Sequence, residues 1–376
     1  MKIVYCIGGT YNSGGMERVL ANKANYLVDR GYDVTIITTE QQHRSSFFTL
    51  DKRIKNFDLG INYEANNGKS FINKVIQYPI KQFKHRNKLE QLLKTLKPDI
   101  VISMFGNEAN FLYKIKDGSK KILEIHFSRF KRLQYGRKGL WRWADVWRSK
   151  NEVNIVNHYD RFVVLTKEDG GYWGEMANLQ VIPNARTFVE MTPAKLENHE
   201  VVAVGRYNYQ KGYDRLISAW KIVHDSFPTW KLRVVGDGEL REEMEAKIKQ
   251  LGLQNSIILG RATKDIQSIY RNASMLVLSS HYEGLPMVLL EAQAMGLPIV
   301  SFDCKCGPKD VVADGINGYL VNNGDITGLA EKMMTLMENE ELRISFGKNA
   351  FINSRCFDED VIMKEWTTLF NEVINE

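Results

Sequence analysis

Short apolar, β-branched runs alternate with longer stretches of helical period along most of this chain. That alternation predicts parallel sheets assembled from strand–helix–strand units, because each half-buried period must find its own face of the sheet. Residues 2–7 read as a strand, 8–15 as a glycine-rich loop and 16–30 as a helix, with Gly31 ending it. Further strands are expected at 33–39, 100–104, 121–126 and 161–165. Between them, residues 71–96 read as a long basic helix, interrupted at Pro79 because proline removes a helical hydrogen bond.

The pattern restarts after Asn184 and Ala185. Residues 186–198 are polar, contain Pro193 and carry no period, which places the domain linker there. Strands then follow at 199–206, 231–236, 256–259, 274–279, 298–302 and 318–321, and a helix runs from Gly212 to about Phe227. From Asp325 to Glu376 only helices are expected. Two Rossmann-like α/β domains in tandem account for this order.

The bulk properties narrow the class. A chain of 376 residues is long for one core, and its 44% hydrophobic and 26% charged content is that of a globular protein, not a disordered one. The start MKIVYCIGG reads as a buried strand, lacking the longer apolar region of a signal peptide. No apolar run approaches the roughly 20 residues that span a bilayer. The four cysteines are scattered and read as reduced thiols of a cytoplasmic protein. Cys304 and Cys306 lack a further Cys/His pair to complete a zinc site.

The net charge of +6 hides an asymmetry. Residues 1–150 hold 28 basic and 13 acidic side chains, and the remainder 23 and 32. Within 114–150 there are 12 basic and 3 acidic residues, interleaved with Phe127, Phe130, Tyr135, Trp141, Trp143 and Trp147. This mixture suits the headgroup boundary of an anionic bilayer. It equally suits single strands of nucleic acid by stacking, or a plain solvated basic face.

Three segments carry candidate chemistry. After the strand at 199–206, Arg206 and Lys211 bracket a turn that opens a helix. Ligands of open α/β sheets bind beyond the carboxyl ends of strands, where two cations would neutralise a diphosphate. Alone, the pair reads first as two solvated surface cations, and only the other segments shift that reading. The second segment, HYEGLPMVLLEAQ (281–293), places Glu283 in a turn and Glu291 as the lone charge of a buried helix. Burying that carboxylate demands hydrogen bonds, from a ligand's hydroxyls or from an internal partner. The backbone N–H groups of Gly284 and Leu285 suit an anion. The third is the loop 8–15, where glycines permit a close ligand approach; its spacing is not G-x-G-x-x-G, which argues against a nicotinamide cofactor despite Glu40 after the next strand. Asp358-Glu359-Asp360 contains a D-x-D and reads as the acidic start of a helix.

Together these segments resemble the GT-B glycosyltransferases of glycosyltransferase family 4, over nearly the whole chain. The likeness rests on residues 8–15 with Gly-Gly-Met-Glu-Arg, on Val204-Gly205-Arg206 with Lys211-Gly212, and on the Glu283/Glu291 pair. Val181-Ile182-Pro183-Asn184, Val235-Gly236-Asp237-Gly238 and Asp314-Gly315-x-Asn317-Gly318 are also similar to the family.

The resemblance implies two Rossmann-like domains facing across a cleft. The first, 1–190, would bind the acceptor and face the membrane; the second, 191–357, would bind the donor, with Gly205 and Gly236 in its site. Residues 358–376 would form a helix returning toward the first. Arg206 and Lys211 would hold the donor diphosphate without a metal. Glu291 would bind the ribose, and Glu283, Gly284 and Leu285 would touch the transferred sugar. His126 would lie near that sugar, while its plainer reading is an ordinary strand-end histidine. Gly14 and Gly15 would line the acceptor and phosphate side. The family retains anomeric configuration, which needs a stabilised leaving diphosphate more than a strong base. The stretch 301–308 resembles members using UDP-hexoses, so a UDP-sugar donor and a lipid-linked saccharide acceptor are expected, with no cofactor and no nucleic acid. Assembly of capsule, O-antigen or a related polysaccharide at the inner face of the cytoplasmic membrane would follow. A GT-B nucleotide-sugar 2-epimerase and a GDP-mannose-dependent mannosyltransferase are the alternatives.

Overall fold

Every pairing within the two sheets is parallel, as the alternation of short apolar runs with helices requires. The computed structural model describes residues 1–66, 71–134, 139–188 and 192–376. The chain divides into two units, one of Met1–Leu165, Gly170–Ile182 and Ile362–Glu376, the other of Thr166–Asp169 and Pro183–Val361.

The first unit contains β1 (Lys2–Ile7), α1 (Gly15–Asp29), β2 (Asp33–Thr38), β3 (Lys55–Asp58), α2 (Phe71–Leu96), β4 (Ile100–Ser103) and β5 (Lys120–Glu124). It continues through α3 (Lys131–Gln134), α4 (Leu140–Val156), β6 (Arg161–Val164), α5 (Lys167–Trp173), which it holds from Gly170 onward, and β7 (Leu179–Val181). Its sheet order is β3-β2-β1-β4-β5-β6-β7, so the winding reverses between β1 and β4. Val4, Cys6, Val101, Leu123, Phe162 and Val164 bury one face of that sheet under Leu89 and Leu93 of α2.

The second unit holds β8 (Glu200–Val204), α6 (Tyr213–Ser226), β9 (Lys231–Val235), α7 (Arg241–Gln250), β10 (Ile257–Gly260), α8 (Ile266–Asn272) and β11 (Met275–Leu278). Then come α9 (Met287–Ala294), β12 (Ile299–Asp303), α10 (Pro308–Val311), β13 (Gly318–Asn322), α11 (Ile326–Glu338) and α12 (Glu340–Asn353). The last helix, α13 (Glu359–Asn375), belongs to the first unit from Ile362 onward. The order β10-β9-β8-β11-β12-β13 puts this unit's reversal between β8 and β11. Trp220 of α6 and Leu329 of α11 are fully buried in its core.

Three sequence expectations need correction. Pro79 lies inside α2, which runs unbroken from Phe71 to Leu96. Residues 76–80 are all exposed, and on a solvated stretch the hydrogen bond that proline removes is cheaply replaced by solvent. The strands β3 and β7 had no apolar signature: every residue of β3 is exposed and none of β7 is fully buried, as edge positions permit. In the stretch read as a linker, the described residues are fastened within the second unit. Arg186 donates from its backbone N–H to Phe357 O (2.8 Å) and from Nη1 to Ser354 Oγ (2.9 Å), and Ala194 N–H donates to Met295 O (2.8 Å). Among the described residues no helix is long and apolar enough to cross a membrane.

Candidate active site

The loops after β8 and β11 flank the reversal of the second sheet, and they carry the paired charges. Lys211 Nζ lies 2.7 Å from Glu283 Oε1. The same carboxylate accepts from Ser280 Oγ at 2.6 Å and, through Oε2, from Gln210 Nε2 at 3.2 Å. Glu283 is thus buried with its charge matched, and the loop after β11 is tied to the loop after β8. An ammonium has three donors, so Lys211 retains capacity for an anion beside Glu283. Arg206 is exposed, and its guanidinium has no partner among the described residues. Arg215 of α6 adds a third cation, donating from Nη2 to Ser279 O (2.6 Å) and from Nη1 to Asn323 Oδ1 (2.9 Å).

Glu291 sits in the middle of α9, 6% exposed. Its Oε1 accepts from Thr187 Oγ1 at 3.0 Å and its Oε2 from the Tyr270 hydroxyl at 2.9 Å. Both carboxylate oxygens thus accept from hydroxyls, the groups that a ribose also presents.

Two glycines in this unit are fixed by close approach. A Cβ on Gly236 would fall 2.0 Å from Gly205 O, and one on Gly205 would fall 2.7 Å from Lys211 Cε. The ends of β8 and β9 therefore meet backbone to backbone beneath Lys211, and any side chain there would push the ammonium away. Ahead of α9, the amides of Gly284 and Leu285 have no hydrogen-bond partner among the described residues. They precede Pro286, the N-cap of that helix, where donors face whatever lies beyond.

His126, Gly14 and Gly15 belong to the first unit. Gly14 is the N-cap of α1, whose first residue is Gly15. His126 follows β5, with Nε2 at 3.0 Å from Glu124 Oε1. Glu40 is not open to a cofactor ribose: it is 5% exposed and accepts from the amides of Tyr63 (2.5 Å) and Glu64 (3.3 Å), capping the turn Tyr63–Asn66. Asp358 of the D-x-D is paired with Arg186 Nη2, and Glu359 and Asp360 lie in the first turn of α13. None of the four cysteines is in a disulfide, and Cys356 alone among them is exposed.

Of the basic, aromatic stretch, Tyr135 lies outside the described residues. Trp143 and Trp147 are one helical turn apart on α4, and 80% and 68% exposed. Phe127 and Phe130 instead pack on Phe105 and Tyr172. Sequence reasoning missed a second stripe: Ile76, Ile80 and Phe83 follow helical spacing along α2 and are 56%, 62% and 69% exposed. It also missed Ser280 and Gln210, whose closeness to Glu283 and Lys211 in sequence was a usable signal. Thr187 and Tyr270 gave none, because they reach Glu291 across 104 and 21 positions.

A family model described as "Glycosyltransferase Family 4" matches residues 13–186, and one described as "Glycosyl transferases group 1" matches residues 186–352. The chain is similar to an uncharacterised glycosyltransferase of Haemophilus influenzae, 30% identical over 373 residues, covering 97% of this chain and 98% of the relative. It is similar to the amylovoran biosynthesis glycosyltransferase AmsD of Erwinia amylovora, 29% identical, with 98% and 99% covered. A Campylobacter jejuni α-1,4-N-acetyl-D-galactosaminyltransferase named for a diNAcBac-PP-undecaprenol-linked saccharide is 28% identical, with 100% and 99% covered. Among solved structures, a Staphylococcus aureus TarM variant in complex with Fondaparinux, α-GlcNAc-glycerol and UDP superposes with a TM-score of 0.79 at 18% identity, covering 98% and 99%.

Proposed function

Since the chain belongs to the GT-B glycosyltransferases of family 4, we propose that it moves a hexose or N-acetylhexosamine from a UDP-sugar to a lipid-linked saccharide, retaining anomeric configuration and using no metal. The observation that carries this reading is the charge arrangement at the reversal of the second sheet. Lys211, matched by Glu283, shares the loop after β8 with Arg206, and Glu283 shares the loop after β11 with Gly284 and Leu285; the Arg206 guanidinium and both amides have no partner among the described residues.

In this reading Arg206 and Lys211 hold the diphosphate and take up the charge that develops as the sugar leaves. Two cations at that point would make a metal unnecessary. Glu291 accepts from the ribose hydroxyls in the manner it already accepts from Thr187 and Tyr270. Glu283 and the two amides contact the transferred sugar, as does His126. Gly205 and Gly236 admit the backbone approach under the diphosphate, and Gly14 and Gly15 serve the acceptor side.

The similarity to TarM, whose complex contains UDP, supports the donor class, and the undecaprenol-linked substrate in the Campylobacter relative's name supports the acceptor class. The exposed stripes of α2 and α4, with Lys84, Arg86, Arg142, Arg148 and Lys150 exposed on the same helices, support peripheral contact with an anionic membrane. Such contact would place the protein on the cytoplasmic face of the membrane.

The test is transfer of radiolabelled sugar from UDP-glucose, UDP-galactose, their N-acetyl forms or GDP-mannose into bacterial membrane lipids, with and without EDTA. Labelled lipid from one UDP-sugar, undiminished by EDTA, is expected. A strict metal requirement overturns the metal-free part, and transfer from GDP-mannose alone overturns the donor.

A further inference from the structure

The first unit buries a charge pair that the chemistry above leaves unused. Lys23 of α1 is 5% exposed and Glu124, at the end of β5, is 1% exposed. Lys23 Nζ lies 2.8 and 2.7 Å from the two oxygens of the Glu124 carboxylate. The Trp366 ring of α13 covers the ammonium at 3.4 Å from the ring centroid, and the Tyr5 ring of β1 stands at 5.6 Å. On its other side, Glu124 Oε1 lies 3.0 Å from His126 Nε2, at an ion-pair separation that is not a straight hydrogen bond. His126 Nδ1 has no partner among the described residues.

Burial raises the proton affinity of Glu124, yet the Lys23 ammonium holds its carboxyl below the usual carboxylate range. The carboxylate is therefore a fixed anion. A buried ion pair stabilises a fold no better, in many cases, than apolar side chains of the same volume. Stability alone thus gives little reason for a lysine where α1 could carry leucine. What the pair adds is a carboxylate fixed 3.0 Å from Nε2 of the imidazole. A carboxylate accepts and does not donate, so it favours the ring form with the proton on Nε2. The nitrogen left as acceptor is then Nδ1.

We propose that Glu124, clamped by Lys23 beneath Trp366, is a positioning residue that holds His126 as the Nε2–H tautomer, so that Nδ1 accepts a hydrogen bond from a hydroxyl of the substrate. The inference rests on the assignment of His126 to the transferred sugar. Orientation of an imidazole by a carboxylate is a general device, and at metal-binding histidines its removal costs roughly 10- to 100-fold in function.

The test uses the full chain labelled with ¹⁵N-histidine, with His126→Gln identifying the ring signals of His126 among the seven histidines. Long-range ¹H–¹⁵N spectra of the parent are expected to show a neutral ring protonated on Nε2. In Lys23→Met/Glu124→Gln, which removes both charges together, the ring becomes a mixture of tautomers. Turnover then falls about tenfold or more at a nearly unchanged KM for the donor. Lys23→Met alone lowers turnover, and Lys23→Arg restores it. An imidazolium or an Nδ1–H ring in the parent overturns the proposal, whatever the variants do. So does a double variant with parental ring signals or parental turnover. If the parent uses none of the sugar nucleotides, the transferase reading fails separately, while the ring spectra still decide the role of Glu124.

Discussion

Lys211 and Glu283 stand 72 positions apart in sequence, yet their charged atoms meet at 2.7 Å across the reversal of the second sheet. One residue was assigned to the leaving diphosphate and the other to the sugar. Because they are also each other's partner, neither can be changed without altering the other. Lys211→Ala leaves the Glu283 carboxylate, 6% exposed in its side chain, without its counter-ion.

Stability should therefore be non-additive at this pair. Urea unfolding of Lys211→Ala, Glu283→Ala and the double variant is expected to give a coupling of about 0.5–3 kcal/mol, the double costing less than the two singles together. Simple additivity would mean that the pair carries no energy in solution.

Glu291 offers a test of a carboxylate held by hydroxyls. Tyr270→Phe and Thr187→Val each remove one donor to a buried carboxyl group, and each should cost about 1–3 kcal/mol in denaturant unfolding. Glu291→Gln should fold but lose affinity for UDP by calorimetry. Parental UDP affinity in that variant would remove the ribose from its list of contacts.

Acid sensitivity has an identifiable source in the first unit. His85 of α2 is 1% exposed, its Nδ1 lies 3.1 Å from the Tyr63 hydroxyl, and burial holds its pKa down to about 4. The unfolded chain binds this proton near pH 6.5, so between pH 6.5 and 4 the unfolded state holds more protons than the folded one. Stability consequently falls as pH drops through that window, by about 3 kcal/mol for this group, and is unaffected by it above pH 6.5. His85→Gln should flatten that part of the curve of urea midpoint against pH. An unchanged slope would assign the acid sensitivity elsewhere.

Membrane contact should depend on the two exposed stripes. Trp143→Ser/Trp147→Ser and Ile80→Ser/Phe83→Ser are each expected to weaken co-sedimentation with anionic vesicles about tenfold or more, with little change in melting temperature, since these side chains are 62–80% exposed. Undiminished binding in both double variants would leave the basic surface to the acceptor diphosphate alone.

The strand–helix order was legible because buried parallel strands write themselves as β-branched runs; β1 occupies the residues expected of it. The edge strands β3 and β7 were not legible, because an edge position asks for no apolar pattern. Among the candidate site residues, Arg206, Lys211 and Glu283 stand out in the sequence as charges in loops after strands, and Glu291 as the lone charge of an apolar helix. Their partners were not. Thr187, Tyr270 and the Lys23–Glu124 pair are long-range relationships, the last across 101 positions, and local patterning holds no record of which side chain meets which.

The most direct measurement is the thermal stability of the full chain and of Arg206→Ala with and without UDP. Arg206 is exposed and has no partner among the described residues, so its loss should change the unliganded stability by no more than about 0.5 kcal/mol. UDP at about a hundred times its dissociation constant should stabilise the parent by about 2.7 kcal/mol, and the same concentration should stabilise Arg206→Ala far less. Equal stabilisation of the two proteins, or none of the parent by UDP or any UDP-sugar, would contradict the donor site described here.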